Sequence, residues 1–453
     1  MKLITYRAAA TRPLALLTAM TVATAVLAGC SGGFGESGDT SSDGKTTISL
    51  SMQNENVELS DPATWNLIQA FETANPDIKI DVSGEPQAQH LQKLTVAAQS
   101  GTLPDVFWVY NSTAKQMNQD GHLLDLAPIM DELDMTDRFS ETSLSNFQEG
   151  DVQYGLPYQA LITGYFYNKA ILDENGIAVP KTFDDLLAAS QKLSQNGVTA
   201  ISQGASQSSF SVWAFLTDLV RFGWQDKYEA ILSGDEKYSN PDFLRLYEHI
   251  EQLADAGAFP SNTATQTFQQ AVDAFANGEA AFLDGGVWLS SYLQDFPIAK
   301  DVGFWEGPTY SDGVGEQEIV MNVPSAPFAV SSKVGEDDAK LEAVKKFLDF
   351  YYSDEGQQIL VDNGQPPVTT YDPDIPAEST VFQSVIDVAQ KLPSPPAQPD
   401  LQVEEPVANA MYDSIYGVIQ KQLPPEKALD LVQQALDTLF RTRNARADRV
   451  RDV

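Results

Sequence analysis

Apolar residues along this chain switch between the spacing of a strand and that of a helix, and this alternation restricts the fold class more than any other feature. Residues 48–52 and 78–82 alternate apolar with polar side chains, as half-buried strands do. Between them, residues 65–71 carry apolar side chains at helical spacing, and Pro76 ends the helical pattern. The order strand, helix, strand predicts a β-α-β unit.

Later segments repeat this order of elements. The run 105–109, an aspartate followed by four apolar residues, predicts a buried parallel strand, and Thr182 with Asp185 forms a capping box that predicts a helix start. Further helices are predicted over 268–276, 341–352 and 426–440. The fold class is therefore α/β, and 453 residues are enough for two lobes with separate cores.

The chain is strongly acidic, because 63 Asp and Glu residues stand against 28 Lys and Arg for a formal net charge of −35. Such a surface repels nucleic acid and anionic lipid headgroups. It favours neutral or cationic ligands without identifying one. We therefore expect no nucleic-acid partner.

The N-terminal segment has the composition of a secretion signal. Lys2, Arg7 and Arg12 precede a mostly apolar stretch over 14–27. The stretch leads to Leu-Ala-Gly-Cys at Cys30, the only cysteine, and this ending resembles the bacterial lipoprotein signal. The resemblance implies cleavage before Cys30 and two acyl chains, such as palmitate, on the new N-terminal residue. The alternative is an ordinary signal peptide whose cysteine is accidental.

Three regions follow from this interpretation. Residues 1–29 are the signal peptide, and residues 30–46, rich in Gly and Ser, are the lipidated cysteine and a flexible tether. Two acyl chains are enough for stable anchoring, so we expect an exported protein held on the outer face of the cytoplasmic membrane. A single cysteine also leaves no partner for an internal disulfide.

Five sequence blocks carry a resemblance that covers most of the chain. They read FETANPDIKI at 71–80, SGTLPDV at 100–106, YGLP at 154–157 followed by YFYNK at 165–169, PKTFDDL at 180–186, and FANGEAAF at 275–282 followed by GGVW at 285–288. In this order the blocks resemble the family 1 extracellular solute-binding proteins of ABC importers. The resemblance implies a sugar or oligosaccharide ligand, membrane permease partners, a monomeric binding protein and no cofactor.

The resemblance also implies a two-lobed periplasmic-binding-protein fold, type II-like, in which the chain crosses between the lobes three times and the ligand lies in the cleft between them. Lobe 1 is predicted over 47–159 and 308–352. Lobe 2 is predicted over 160–307 and 353–441, and a basic tail follows over 442–453.

Candidate ligand contacts lie in loops after strands, because open α/β sheets bind ligands beyond the carboxyl ends of their strands. The loops after the first strand, after the buried strand and at the first crossing supply Gln53, Asn54, Glu55, Tyr110, Asn111, Tyr158 and Gln159. A pyranose has apolar faces and a polar edge, so aromatic rings together with amides and carboxylates suit it. Asn111 and Gln159 are equally compatible with capping or turn roles.

Other candidates come from the second half of the chain. In the resembling family the turn that contains Gly286 brings Trp288 to the cleft, and the cleft is often closed near Gln365. Asp284 precedes this turn, with a simple turn role as the alternative. Trp224 and Trp305 fit ligand contact or core packing equally well, whereas Trp65 and Trp213 favour the core.

Two competing functions remain open on the sequence alone. A surface-anchored glycoside hydrolase would need two suitably placed carboxylates. Because the chain has 63 Asp and Glu residues, some such pair is nearly certain, and its presence does not identify a hydrolase. A protein of the same fold could instead bind a peptide, a polyamine or a metal complex. His90, His122 and His249 are scattered along the sequence and predict no metal site. We expect a binding protein and not an enzyme.

Overall fold

A computed structural model describes residues 44–451 apart from residue 55 and residues 207–210. The helices α1 to α18 span Val57–Ser60, Pro62–Ala74, Gln87–Ser100, Asn111–Gln119, Ala127–Glu132, Glu141–Ser145, Lys169–Glu174, Phe183–Gln195, Trp213–Arg221, Trp224–Ser233, Pro241–Asp255, Phe268–Ala276, Ser290–Gln294, Asp338–Tyr351, Asp354–Asp362, Thr380–Ala389, Glu405–Ile419 and Pro425–Arg451. The strands β1 to β12 span Thr46–Met52, Ile78–Gly84, Val106–Trp108, Gln148–Glu149, Val152–Gln153, Leu156–Pro157, Ala160–Asn168, Thr199–Ser202, Ala280–Gly286, Val302–Trp305, Met321–Pro324 and Pro327–Val330.

The first sheet forms the centre of lobe 1, with strand order β2-β1-β3-β12-β6. β1 runs parallel to β2, with Ile48 opposite Ile80, and also parallel to β3. This pairing confirms the predicted β-α-β unit. α2 packs its buried residues Leu67 and Phe71 against the same core that the sheet's apolar side chains enter.

The second sheet forms the centre of lobe 2, with strand order β10-β7-β9-β8 and with β11 also paired to β7. β8 and β9 are parallel, whereas β7 is antiparallel to its partners. α8 begins with the predicted capping box, in which Thr182 and Asp185 each bond the other's backbone N–H. α12 spans the residues that the sequence predicted as a helix.

The chain passes between the two sheets first between β6 and β7, and again between β11 and β12. The two passages lie side by side because two backbone hydrogen bonds join them. The Tyr158 N–H donates to the Ala326 carbonyl oxygen at 3.0 Å, and the Ser325 N–H donates to the Gln159 carbonyl oxygen at 2.9 Å. The first passage lies between Pro157 and Ala160. The second lies later than the predicted 307/308, because residues 306–320 and β11 are still attached to lobe 2.

A buried arginine explains this difference. The Arg221 guanidinium on α9 donates to the carbonyl oxygens of Glu306, Gln317 and Ile319, each at 3.0 Å, and to Asp218 Oδ1 at 2.8 Å. These bonds hold the long loop before β11 on lobe 2. The third boundary also lies later than predicted, because α15 packs on α2 and Val368 still contributes to the lobe 1 core.

Within the part of the chain that the structure describes, no helix is both long enough and apolar enough to cross a membrane. The predicted signal peptide, Cys30 and nearly all of the tether lie outside the described residues.

Candidate functional site

The carboxyl ends of β1, β2 and β3 meet at one edge of the lobe 1 sheet, because these three strands are parallel. Gln53 and Asn54 follow β1 there, and Tyr110 and Asn111 follow β3. All four side chains are partly buried. The structure therefore brings these four predicted residues to one edge. Glu55, predicted beside them, lies outside the described residues.

Tyr110 is the aromatic residue of this edge that reaches lobe 2. Its ring packs edge to face on Trp108, with centroids 5.0 Å apart. Tyr110 lines a small cavity of about 20 Å³ together with Asp400 and Tyr412 of lobe 2. Burial, helped by the nearby Asp400 charge, raises the pKa of Tyr110 far above its usual value, so its hydroxyl keeps its proton at neutral pH.

Asn111 holds the edge of lobe 1 in place. Its side-chain oxygen accepts from the Tyr154 hydroxyl at 2.8 Å, and its amide nitrogen donates to the Asn146 carbonyl at 2.9 Å. Both polar groups of the amide thus have protein partners, while the residue still lines the space between the lobes. Asn111 has at least a positioning role, and ligand contact stays a prediction.

Two tryptophans lie at the matching edge of lobe 2, where β9 ends and where the chain after β8 enters α9. The partly buried Trp288 meets Trp213 edge to face, with ring centroids 4.8 Å apart. Gly286 makes room for this ring, because a Cβ there would lie 2.1 Å from a Trp288 ring atom. Trp213 is only 6% exposed, in agreement with the core position that its apolar run favoured, and no sequence pattern indicated its pairing with Trp288.

Three predicted contacts in lobe 2 lie in its interior instead. Trp224 is fully buried and donates from Nε1 to Gln402 Oε1 at 2.7 Å, and Trp305 stacks on Tyr165 with centroids 5.4 Å apart. Asp284 accepts from the Ala214 N–H at 3.0 Å and from Gln203 Nε2 at 3.2 Å. These three side chains are buried within lobe 2, so the prediction that they contact the ligand is not supported by their positions.

Three more predicted contacts lie near the passages between the lobes. The Tyr158 hydroxyl is buried, donating to Asp61 and lying 2.8 Å from Thr64 Oγ1. Gln159 donates from Nε2 to the Tyr158 oxygen at 3.1 Å. Gln365 is only 8% exposed. The Tyr158 side chain points into lobe 1, where its hydroxyl donates to the buried Asp61 carboxylate. A sequence pattern does not reveal a contact between residues so far apart in the chain.

A second link between the lobes lies at the end of α15. Asn363 Oδ1 accepts from Asn66 Nδ2 of α2 at 2.8 Å, and the Asn363 carbonyl accepts from Ser291 Oγ of α13 at 2.7 Å. These two bonds connect α2 of lobe 1 with α13 of lobe 2. Among the described residues, no cluster of His, Cys, Asp and Glu could hold a metal ion.

Comparison with known sequences gives a family match. The family described as "Bacterial extracellular solute-binding protein" matches residues 57–358. The multiple sugar-binding protein of Streptococcus mutans is 22% identical over 335 residues, covering 69% of this chain and 75% of that protein. The maltodextrin-binding protein of Bacillus subtilis is 23% identical over 329 residues, covering 69% and 71%. Both relatives are binding proteins and not enzymes.

Solved structures share the fold. A chitin oligosaccharide binding protein superposes with a TM-score of 0.77 at 22% identity, covering 87% of this chain and 98% of its own. A family 1 extracellular solute-binding protein from Bifidobacterium longum subsp. infantis gives a TM-score of 0.63 at 25% identity, covering 87% and 100%. The two-lobed α/β architecture is therefore that of periplasmic-binding proteins.

Proposed function

This chain belongs to the bacterial extracellular solute-binding proteins, and from that premise we propose that it captures a carbohydrate between its lobes for an ABC importer. The observation that carries the proposal is the Trp213–Trp288 pair at the carboxyl edge of the lobe 2 sheet. The expectation that the protein is a binding protein and not an enzyme is confirmed, since its relatives are binding proteins.

The chemistry of the facing edges supports a sugar ligand. A pyranose presents apolar C–H faces to a flat ring and hydroxyl groups to amides and carboxylates. Trp288 offers the ring from lobe 2, while Gln53 and Asn54 offer amides from lobe 1. The named relatives bind multiple sugars and maltodextrin, which supports the same ligand class here.

Capture would proceed by closure of the lobes. A ligand shifts a two-state equilibrium only through contacts that differ between the states, so a sugar touching both edges favours the closed state. Tyr110 of lobe 1 lies beside Asp400 and Tyr412 of lobe 2 around one small cavity, and Asn363 bonds both Asn66 of lobe 1 and Ser291 of lobe 2, so the lobes already meet at two places. The permease would then accept the closed, loaded protein.

Lipid anchoring at Cys30 belongs to the same proposal. The signal-like residues 1–29, the single cysteine and the Gly/Ser-rich segment 30–46 support a tethered, monomeric receptor on the outer face of the cytoplasmic membrane. A tether keeps the receptor near its permease and so raises its effective concentration there.

Calorimetric titration of the purified protein with neutral oligosaccharides, peptides and polyamines tests the ligand class. We expect saturable binding of a carbohydrate near micromolar, about −8 kcal/mol, without hydrolysis of the sugar. Binding confined to peptides or polyamines would favour the same fold with a non-sugar solute. Steady release of reducing ends would favour the hydrolase.

A further inference from the structure

The helix that carries Trp213 begins without a side-chain cap of its own. α9 starts at Trp213, and Val212 before it has no side-chain oxygen to accept from the free N–H groups of the first turn. A carboxyl group from the neighbouring sheet takes this role, because Asp284 Oδ1 on β9 accepts from the Ala214 N–H at 3.0 Å. Asp284 therefore fixes the first turn of α9, and with it the backbone that carries the Trp213 ring.

The same strand supports the second ring of the pair. Asp284 lies on β9 two residues before Gly286, and the strand leads directly into the short turn that contains Trp288. One side chain thus joins the backbone segments of both indoles, whose ring centroids lie 4.8 Å apart. This bond between α9 and β9 restrains the distance between the two rings.

A chain of buried hydrogen bonds continues from Asp284 to α17. Asp284 Oδ2 accepts from Gln203 Nε2 at 3.2 Å, and Gln203 Oε1 accepts from the Tyr416 hydroxyl at 2.7 Å. The Tyr416 hydroxyl also lies 2.9 Å from Ser211 Oγ, which donates to the Gly204 carbonyl oxygen at 3.1 Å. The chain therefore fastens the residue after β8 and the residue two before α9 to one tyrosine of α17.

Hydrogen bonds hold the Asp284 carboxyl in this position. Its burial raises its pKa well above the usual range, and the charge of the nearby Asp218 adds to the rise. The neutral form of the carboxyl is therefore favoured, and hydrogen-bond partners are enough to offset its burial. An asparagine amide matches this neutral group in size.

From these contacts we propose that Asp284 and Tyr416 are positioning residues for ligand binding, which act by holding Trp213 against Trp288 at the carboxyl edge of the lobe 2 sheet. The inference rests on the proposed function, because the ligand has to meet this ring pair. Both residues act through the rings and neither meets the ligand. Loss of either polar group removes a fixed partner beside the first turn of α9, and a misplaced ring binds a sugar less well.

Tyr416→Phe removes one hydroxyl from the chain and keeps the ring. Two indoles in contact give a coupled circular-dichroism band, measured as the difference between the wild type and Trp288→Phe. We expect Tyr416→Phe to reduce this band in the ligand-free protein. We also expect it to weaken binding of neutral oligosaccharides of the maltose, chitin or xylan series about fivefold in calorimetry.

Tyr247→Phe is the matched control. It also removes a buried tyrosine hydroxyl, one that lies 2.6 Å from Ser414 Oγ on the same helix α17, and it should change neither the band nor the affinity. In a Trp213→Ala background Tyr416→Phe should cost no further affinity, since its effect passes through the ring. An equal loss in that background overturns the proposal.

The coupled band separates failure of this proposal from failure of the proposed function. An unchanged band in folded Tyr416→Phe overturns the proposal, and so does a reduced band with unchanged affinity for a sugar that the wild type binds. Binding by no series overturns the proposed function, and the band then decides whether the chain holds the ring pair.

Two variants test the other end of the chain. Asp284→Ala leaves the Ala214 N–H without this acceptor and should lose the band, whereas Asp284→Asn keeps an acceptor oxygen and should retain it. Equal bands in the two folded variants overturn the role of Asp284. If Asp284→Ala does not fold, the comparison of Tyr416→Phe with Tyr247→Phe decides.

Discussion

Trp288 meets Trp213 edge to face, with ring centroids 4.8 Å apart, at the end of the lobe 2 sheet where its parallel strands β8 and β9 present their carboxyl ends. Each ring of such a pair restrains the orientation of the other. Little further side-chain entropy is therefore lost when a ligand stacks on the pair. The two indoles come from residues 75 positions apart in the chain, so the pair exists only in the folded lobe.

Trp288→Ala should weaken carbohydrate binding at least tenfold, because it removes the ring on which the sugar would stack. Calorimetry with the best-binding oligosaccharide measures the change. Tyr292→Ala is the control, since Tyr292 is an exposed aromatic residue on the adjacent α13. Unchanged affinity in a folded Trp288→Ala protein would remove Trp288 from the site.

Gly286→Ala should reduce affinity while leaving both tryptophans in the chain. The new Cβ would lie 2.1 Å from a Trp288 ring atom and 2.7 Å from the Ile162 carbonyl oxygen, so the ring has to move and β7 is crowded as well. Because the clash with the ring is absent in Trp288→Ala, Gly286→Ala should cost less affinity in that background than in the wild type. Equal losses in the two backgrounds would show that Gly286 does not act through the ring.

Arg221→Met should destabilise the protein by about 3–5 kcal/mol, since it leaves Asp218 buried without its cation. It also frees three carbonyl groups in the loop before β11. Urea unfolding measures the loss. Lys169→Met, which breaks an exposed pair with Asp173, should cost far less, because water and salt screen an exposed ion pair. Similar losses for the two variants would contradict a structural role of Arg221.

Asp284 should make stability depend on pH. Burial raises the pKa of its carboxyl well above the usual range, although hydrogen bonds from Ala214 and Gln203 oppose the rise. The folded state therefore keeps this proton to higher pH than the unfolded state does. The protonated Asp284 carboxyl makes its whole contribution to the free energy of unfolding below about pH 4. This contribution declines as pH rises toward the folded-state pKa of Asp284.

Asp284→Asn removes this titration while keeping the size of the side chain. Urea unfolding of both proteins between about pH 4 and 7 should show the wild type losing stability relative to the variant as pH rises. A difference that stays constant across this range would mean that Asp284 keeps its ordinary pKa in the fold.

Cys30→Ser should leave ligand affinity unchanged and release the protein into the medium, because the acyl chains have no attachment point. Cell fractionation with an immunoblot measures the distribution, and calorimetry of the released protein measures binding. Retention in the membrane fraction without the thiol would contradict lipid anchoring at this residue.

Local patterns predicted the elements of the fold well. The alternating segments 48–52 and 78–82 became parallel partners, and Thr182 and Asp185 formed the capping box. These features depend on neighbours within a few residues, so the sequence contains their cause.

Side-chain roles in the site were less predictable because they depend on distant partners. Trp224 and Trp288 look alike in sequence, yet Trp224 is fully buried and donates to the Gln402 amide, whereas Trp288 is only partly buried and packs on Trp213. The boundary after β11 was misplaced for the same reason, since Arg221 reaches its carbonyl partners almost a hundred residues later. No spacing rule marks such contacts.

X-ray scattering of the purified protein with and without a saturating oligosaccharide tests capture between the lobes most directly. Closure around a ligand should lower the radius of gyration of the wild type, and Trp288→Ala at the same sugar concentration should lower it less. A radius of gyration that does not change when calorimetry shows the wild type to be saturated would contradict capture by closure.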